Sequence, residues 1–261
     1  MGLARSAYQN LIGLIFPSRC VICEAPLPSP RESPLCIEHS REIERGRWRA
    51  CPKCGRRMYG ESVEVLICAK CRPKTICYDE GYSAHQYTGV VKELIHLFKY
   101  RKRQYLGHFL GGSLLDCVRE RGDLSGYDAI VPVPLHWRRQ WSRGFNQATD
   151  LGKALSNGFG IPIMKRNLRR VLNTRPQVRI EPKEREDNIK NAFRVRRPGK
   201  VAGKKLVLLD DVITTGATLN ECARVLKMAG ALKVTIVTLA HASDVQREPA
   251  GKVPPGAAVQ T

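Results

Sequence analysis

The 261-residue sequence predicts an α/β fold: a mostly parallel sheet with helices on both faces, preceded by a small N-terminal zinc-ribbon module. Three observations predict it. From Tyr78 onward, strand-sized apolar runs alternate with stretches of helical periodicity, the pattern of a sheet buried under helices. Lys205–Thr218 reads KLVLLDDVITTGAT, an apolar strand running into two carboxylates and a loop of small hydroxyl residues. Before Tyr78, eight cysteine and histidine residues fall in four pairs, each with two intervening residues.

The chain divides into four stretches. Residues 1–18 carry LIGLIF after Arg5 and are expected to form an amphipathic helix packed on the module rather than a signal peptide, because a small-residue cleavage site is missing. Residues 19–75 form the cysteine-rich module. Residues 76–242 form the α/β domain, with strands expected at Tyr78–Tyr87, Tyr127–Pro134, Leu206–Leu209 and Lys233–Leu239. Helices are expected at Val90–Phe98, His108–Glu120, Phe145–Asn157 and Leu219–Ala229. Ile161–Thr174 is expected to hold a short strand and a turn, and Pro176–Asn191, polar and charged, a mobile loop. From Ser243 to Thr261 the sequence turns to Pro, Gly and Ala without periodicity, so 243–261 is expected to be a disordered tail.

In the module, Cys20/Cys23, Cys36/His39, Cys51/Cys54 and Cys68/Cys71 have the spacing that turns both side chains of a knuckle toward one ion. Twelve residues separate Cys23 from Cys36 and thirteen separate Cys54 from Cys68. About two structural zinc ions follow, with metal supplying folding free energy to a segment too poor in apolar mass for its own core. Sequential pairing of the knuckles is favoured over crossed pairing. Disulfides would need an oxidising compartment, and nothing in the sequence exports the chain, so a cytoplasmic location is expected. Cys77, Cys117 and Cys222 lack partner spacing and are expected as small core residues.

The chemistry of DDVITTGAT follows from its parts. A helix N-terminus offers free N–H groups and partial positive charge to a phosphate. Gly216 and Ala217 keep the loop small, while Thr214, Thr215 and Thr218 add hydroxyl donors. Asp210 and Asp211 can accept hydrogen bonds from vicinal hydroxyls or hold a hydrated Mg²⁺. Phosphate on one side and diol on the other describe a ribose 5-phosphate. Gly-Lys-Ser/Thr and G-x-G-x-x-G are both missing there, which excludes a Walker A loop and a dinucleotide fingerprint.

DDVITTGAT resembles the PRPP-binding signature of type I phosphoribosyltransferases. IVPVPLHWRRQWSRGFNQA (Ile130–Ala148), TRPQ (Thr174–Gln177), REDNIKNAF (Arg185–Phe193) and the cysteine-rich N-terminus together resemble the ComF family, bacterial proteins associated with competence and DNA uptake. The resemblance spans about residues 8–242. It implies a type I phosphoribosyltransferase fold, PRPP and Mg²⁺ as ligands, single-stranded DNA as a partner and a competence helicase beside it. It also implies a pyrophosphate loop at Val133, Pro134, Leu135 and His136, with Arg138 and Arg139 nearby and Lys99 and Arg143 as further anion contacts. Arg185, in the mobile loop, would close over PRPP and join Asp210 and Asp211 in the catalytic group. His39 stands where this family usually has cysteine.

Charge agrees with anionic partners. Lys and Arg number 44 against 24 acidic residues, for a net charge of +20, and Lys165–Lys205 alone holds fifteen basic against four acidic side chains. Such a balance favours nucleic acid, PRPP or pyrophosphate, although arginine-rich solvated faces give the same count. Trp48, Trp137 and Trp141 are candidates for stacking on bases. The apolar runs are far shorter than the ~20 residues a spanning helix needs, so no membrane insertion is expected. No general base stands beside the loop in the sequence; His136 and His85 are the loosely placed imidazoles. Two functions therefore remain open: an enzyme using PRPP, or a nucleic-acid-binding or adaptor protein that keeps the scaffold without turnover.

Overall fold

A computed structural model describes residues 19–27, 33–43, 48–59, 67–100, 103–135, 141, 144–172 and 189–242. The expected N-terminal helix, the tail from 243 and most of the expected loop at 176–191 lie outside the described residues.

The described elements run in the order α1 (Ile37–Glu42), β1 (Glu80–Gln86), α2 (Gly89–Tyr100), α3 (Leu106–Arg121), β2 (Ala129–Pro132), α4 (Gln147–Phe159), β3 (Leu168–Arg170), β4 (Phe193–Val195), β5 (Lys205–Ile213), α5 (Ala217–Met228) and β6 (Lys233–His241). Four strands form one sheet in the order β1-β6-β5-β2, all neighbours parallel. β3 and β4 form a separate antiparallel pair. The order places β5, with the two carboxylates, inside the sheet rather than at its rim.

Period-2 alternation along β5 sorts its side chains between two cores. Val207 and Leu209 pack with Ile130, Val237 and Leu239 under α2, α3 and α4. Leu206 and Leu208 pack with Val131, Val234 and Ile236 under α5, through Leu219, Cys222, Ala223 and Leu226. All four of these β5 side chains are fully buried. Each such aliphatic side chain contributes roughly 1.5–3 kcal/mol when removed from water, which fixes the strand's register firmly.

β5 and β6 extend further than their apolar runs predict. β5 continues through Asp210 and Asp211 to Ile213, because Val212 pairs with Ala240 and Ile213 with His241. The carboxylates thus sit on ordered strand, three and two residues before its end. The helix after it begins at Ala217 rather than Leu219. The short strand expected within Ile161–Thr174 is β3, and Ile163 adds a parallel bridge to Ile130. β4 carries no sequence signal of its own; it forms because Val195 and Phe193 pair with Leu168 and Arg170. Cys117 and Cys222 are buried as expected, but Cys77 is only half-buried, since it lies on the segment leading out of the metal module.

Candidate functional site

Each half of the module is a knuckle with the same backbone plan. In the first, Cys20 N–H donates to the Ala25 carbonyl and Glu24 N–H to that of Cys20. In the second, Cys51 N–H donates to Arg56 and Gly55 N–H to Cys51. The tight position has positive φ in both, Glu24 at 62° and Gly55 at 72°. The ligand atoms of Cys20, Cys23, Cys36 and His39 lie within 4.8 Å of one another, as do those of Cys51, Cys54, Cys68 and Cys71. Sequential pairing is therefore what the fold adopts.

These sets fit zinc. Four sulfurs at ~2.3 Å from one tetrahedral ion stand about 3.8 Å apart. Cys54 and Cys68 are 3.7 Å apart and Cys23 and Cys36 3.8 Å. His39 presents Nδ1, 3.6 Å from the Cys20 sulfur and 3.1 Å from that of Cys36. Burial opposes ionisation of Cys20, but the backbone N–H groups of Cys23, Cys36 and Ile22 outweigh it and bring the thiol down to about 6, toward the thiolate a metal requires. With every position filled by protein, both sites are structural in kind.

The second knuckle docks on the sheet. Gly81 N–H donates to the Pro52 carbonyl at 2.9 Å and Lys53 Nζ to the Asp79 carbonyl at 2.7 Å. A Cβ on Gly55 would stand 2.3 Å from Ser83 N, and one on Gly81 2.3 Å from the Lys53 carbonyl oxygen. Only two glycines permit backbone to meet backbone here.

Across the sheet, β5 delivers Asp210 and Asp211 to a loop that turns directly into α5. Gly216, at the N-cap, has φ of 82°. A side chain there would meet ordinary contacts, Ile213 at 3.7 Å and Tyr78 at 3.8 Å, so the backbone conformation rather than crowding demands glycine. Thr215 Oγ1 accepts from Ala217 N–H at 3.4 Å. Asp211 N–H donates to Asp210 Oδ1 at 2.8 Å, and Lys99 Nζ to Asp211 Oδ1 at 2.9 Å. Lys99 comes from the end of α2, so two distant segments meet at this carboxylate. Burial pushes Asp210 up to about 7, helped by the neighbouring charge of Asp211 and opposed by Lys99 and Arg170.

The segment after β2 adjoins the same strand. Val133 N–H donates to the Leu209 carbonyl at 2.8 Å, and its own carbonyl accepts from Asn146 Nδ2 at 3.1 Å. Asn146 also caps α4 by accepting from Ala148 N–H. Val133 is buried, and Pro134 and Leu135 are half-buried. The geometry thus brings Lys99, Val133, Pro134, Leu135, Asp210, Asp211 and Thr214–Thr218 to one end of the sheet. His136, Arg138, Arg139, Arg143, Arg185 and Trp137 lie outside the described residues.

His85 belongs elsewhere: it is buried on β1, with Nε2 2.5 Å from Ser113 Oγ. Trp48 carries the Arg121 guanidinium 3.7 Å from its ring centroid, so its face is taken by the protein, whereas Trp141 is 86% exposed. Sequence reasoning missed Arg170, whose charge reaches Asp210 from β3, and Lys74, whose Nζ donates to the Thr215 carbonyl at 3.1 Å. It also missed Asn220, which accepts from Cys77 N–H at 2.7 Å and donates to the Thr75 carbonyl at 3.0 Å. Asn146 had a local signal, an Asn just before a helical run. The others are joined only by tertiary contact.

A cavity of about 160 Å³ lies between the loop and the second knuckle, lined by Arg56, Lys70, Lys74, Lys190, Tyr78 and His241 among others. Burial, then the positive charge of Arg56, holds His241 down at about 4.

A family model for the phosphoribosyl transferase domain matches residues 148–257. Over 226 residues the chain is 34% identical to the DNA utilization protein YhgH of Salmonella typhimurium, covering 85% of this chain and 96% of that protein. It is 31% identical to the competence protein F of Haemophilus influenzae over 233 residues, covering 87% and 98%. The competence protein ComFC of Bacillus subtilis is 26% identical over 213 residues, covering 78% and 83%. No described helix is long and apolar enough to cross a membrane.

Proposed function

Because the chain belongs to the ComF family, whose members join a cysteine-rich module to a phosphoribosyltransferase domain, we propose that it binds PRPP together with Mg²⁺ and handles single-stranded DNA in DNA uptake or utilization. The observation that carries the PRPP reading is the junction of β5 with α5. Two carboxylates on ordered strand stand five and six residues before Gly216, the pivot of the helix N-terminus, with the Val133–Leu135 segment hydrogen-bonded alongside.

Each part then has a task. The α5 N-terminus and the hydroxyls of Thr214, Thr215 and Thr218 receive the 5-phosphate. Asp210 and Asp211 accept the ribose hydroxyls, and their hard oxygens suit a hydrated Mg²⁺, which would neutralise charge on the pyrophosphate. The backbone of Val133–Leu135 and the ammonium of Lys99 face the pyrophosphate. In transfer from PRPP, the C1′–pyrophosphate bond breaks and an acceptor adds at C1′. Fixed donors that hold the departing anion lower that barrier without reorganising. Lys99 must leave Asp211 to join them, so ligand entry would exchange one ion pair for another. The two metal knuckles each hold a structural zinc ion.

A second reading, a nucleic-acid-binding or adaptor protein without turnover, is favoured by the charge of +20 and the exposed Trp141. Titration with PRPP, with and without Mg²⁺ and with oligo(dT), separates the two. Under the first reading PRPP raises the melting temperature in an Mg²⁺-dependent way and a suitable base or amine releases pyrophosphate. Under the second, oligo(dT) binds with a steep salt dependence while PRPP leaves the melting temperature unchanged.

A further inference from the structure

The outer wall of the phosphate loop is made by the second metal knuckle. Lys74 reaches across to the Thr215 carbonyl at 3.1 Å, and Tyr78 brings its hydroxyl toward Gly216. Between them lies the cavity of about 160 Å³, several times the ~30 Å³ a water molecule takes in the liquid.

Its lining is rich in cations. Arg56, Lys70, Lys74 and Lys190 line it, against Glu221 as the carboxylate and the Cys54 and Cys71 sulfurs of the knuckle, whose thiolates these cations balance. That carboxylate is committed elsewhere: its oxygens accept from Arg224 Nε and Nη2 at 2.7 Å each and from Asn191 N–H at 2.8 Å. The Arg56 Nε is buried and makes no hydrogen bond. Three of the four cations sit within three residues of a metal ligand: Arg56 two after Cys54, Lys70 one before Cys71, and Lys74 three after it. Whatever orders the four sulfurs orders these cations.

We propose that Arg56, Lys70 and Lys74 form the outer half of an anion site whose inner half is the Thr214–Ala217 loop, so that a phosphate monoester bound there and the metal ion of the second knuckle stabilise one another. The inference rests on reading that loop as a phosphate site. The same dianion could come from a sugar phosphate or from the terminal phosphate of a nucleic-acid strand. Coupling between two sites is reciprocal: if the metal places the cations, the anion must slow loss of the metal.

The experiment measures zinc release from the full-length, zinc-loaded protein to a chromogenic chelator. It is run with inorganic phosphate, ribose 5-phosphate, PRPP, and oligo(dT) with and without a 5′-phosphate, all against chloride at matched ionic strength. A coupling of ordinary size gives roughly 5- to 100-fold slower release from one of the two sites with the monoesters. The double variant Arg56→Gln, Lys70→Gln keeps every ligand and should retain both zinc ions, yet lose that protection and bind ribose 5-phosphate about tenfold or more weakly; Lys200→Gln should behave as wild type. Protection by the 5′-phosphorylated oligonucleotide but not by ribose 5-phosphate assigns the site to strand ends; the reverse assigns it to sugar phosphates. Monoesters that leave both release rates unchanged overturn the proposal. So does a double variant that matches wild type in protection and affinity; if wild type then still binds PRPP, the phosphate-loop reading survives alone. Protection by inorganic phosphate with PRPP binding no tighter would keep the anion site and reject the phosphoribosyl reading.

Discussion

Replacing Asp210 with Asn should stabilise the protein, and by more at alkaline pH. Asp210 is held at about 7 instead of 3.8 by burial and by the charge of Asp211. Between those values the folded chain keeps a proton that the unfolded chain has released. Stability therefore falls as pH rises from about 4 to about 7 and this contribution is flat above that. Asn is neutral throughout and has nearly the same shape. From pH 5.5 to 8.5 the wild type crosses about 1.5 pH units of that window, worth ~2 kcal/mol at about 1.4 kcal/mol per unit. For a chain of this size that is roughly 4–8 °C in melting temperature. Melting of wild type and Asp210→Asn should be followed at both pH values, without PRPP or Mg²⁺. Groups away from Asp210 titrate alike in the two proteins, so the difference of differences reports Asp210 together with its coupled neighbours Asp211 and Lys99. A gap between the two melting temperatures that does not widen between pH 5.5 and 8.5 refutes the reasoning. Under the proposed reading the same variant should bind PRPP more weakly, because Asn puts an N–H donor where the carboxylate would accept from a ribose hydroxyl.

Lys99→Met removes the ammonium 2.9 Å from Asp211 while keeping the aliphatic stem; with both side chains largely buried it should destabilise by ~1–3 kcal/mol, read by urea denaturation. Glu24→Gly should remove the strain of a φ of 62° at the first knuckle, adding ~1 kcal/mol, seen as slower zinc release from that site alone. Gly216→Ala should cost ~1–2 kcal/mol through its φ of 82°, and Gly216→Val more, with melting curves separating this loss from lost PRPP binding measured by titration.

The alternation of apolar strands and amphipathic helices made the sheet and its helical layers readable in advance, because burial on two faces leaves an unmistakable pattern. The ends of β5 and β6 were not readable: Val212–Ile213 is extended because Ala240 and His241 pair with it, not because of its own composition. The two Cys/His clusters were legible because knuckle geometry forces a fixed local spacing, and the position of the carboxylates at the end of an apolar strand was legible from the local pattern. Lys74, Arg170 and Asn220 were not. Each acts on a partner at least 40 residues away, as Lys74 does on Thr215 and Asn220 on Thr75, and nothing local marks such a side chain.

β1 lies at the rim of the parallel sheet, where unpaired backbone groups would invite another chain to add a strand. Here the rim is occupied. The Gly81 N–H is taken by Pro52 of the second knuckle, and the Ser83 carbonyl accepts from Arg121 Nη1 at 3.2 Å and from the Cys117 thiol at 3.5 Å. The knuckle is thus a guard against self-association as well as a metal site. If zinc fills the Cys51, Cys54, Cys68 and Cys71 set, a chelator or an oxidant that removes it would free the Gly81 N–H while the α3 contacts to Ser83 remain. Metal starvation would then register as clumping through this edge once the knuckle loosens, a colloidal failure rather than a loss of the sheet itself.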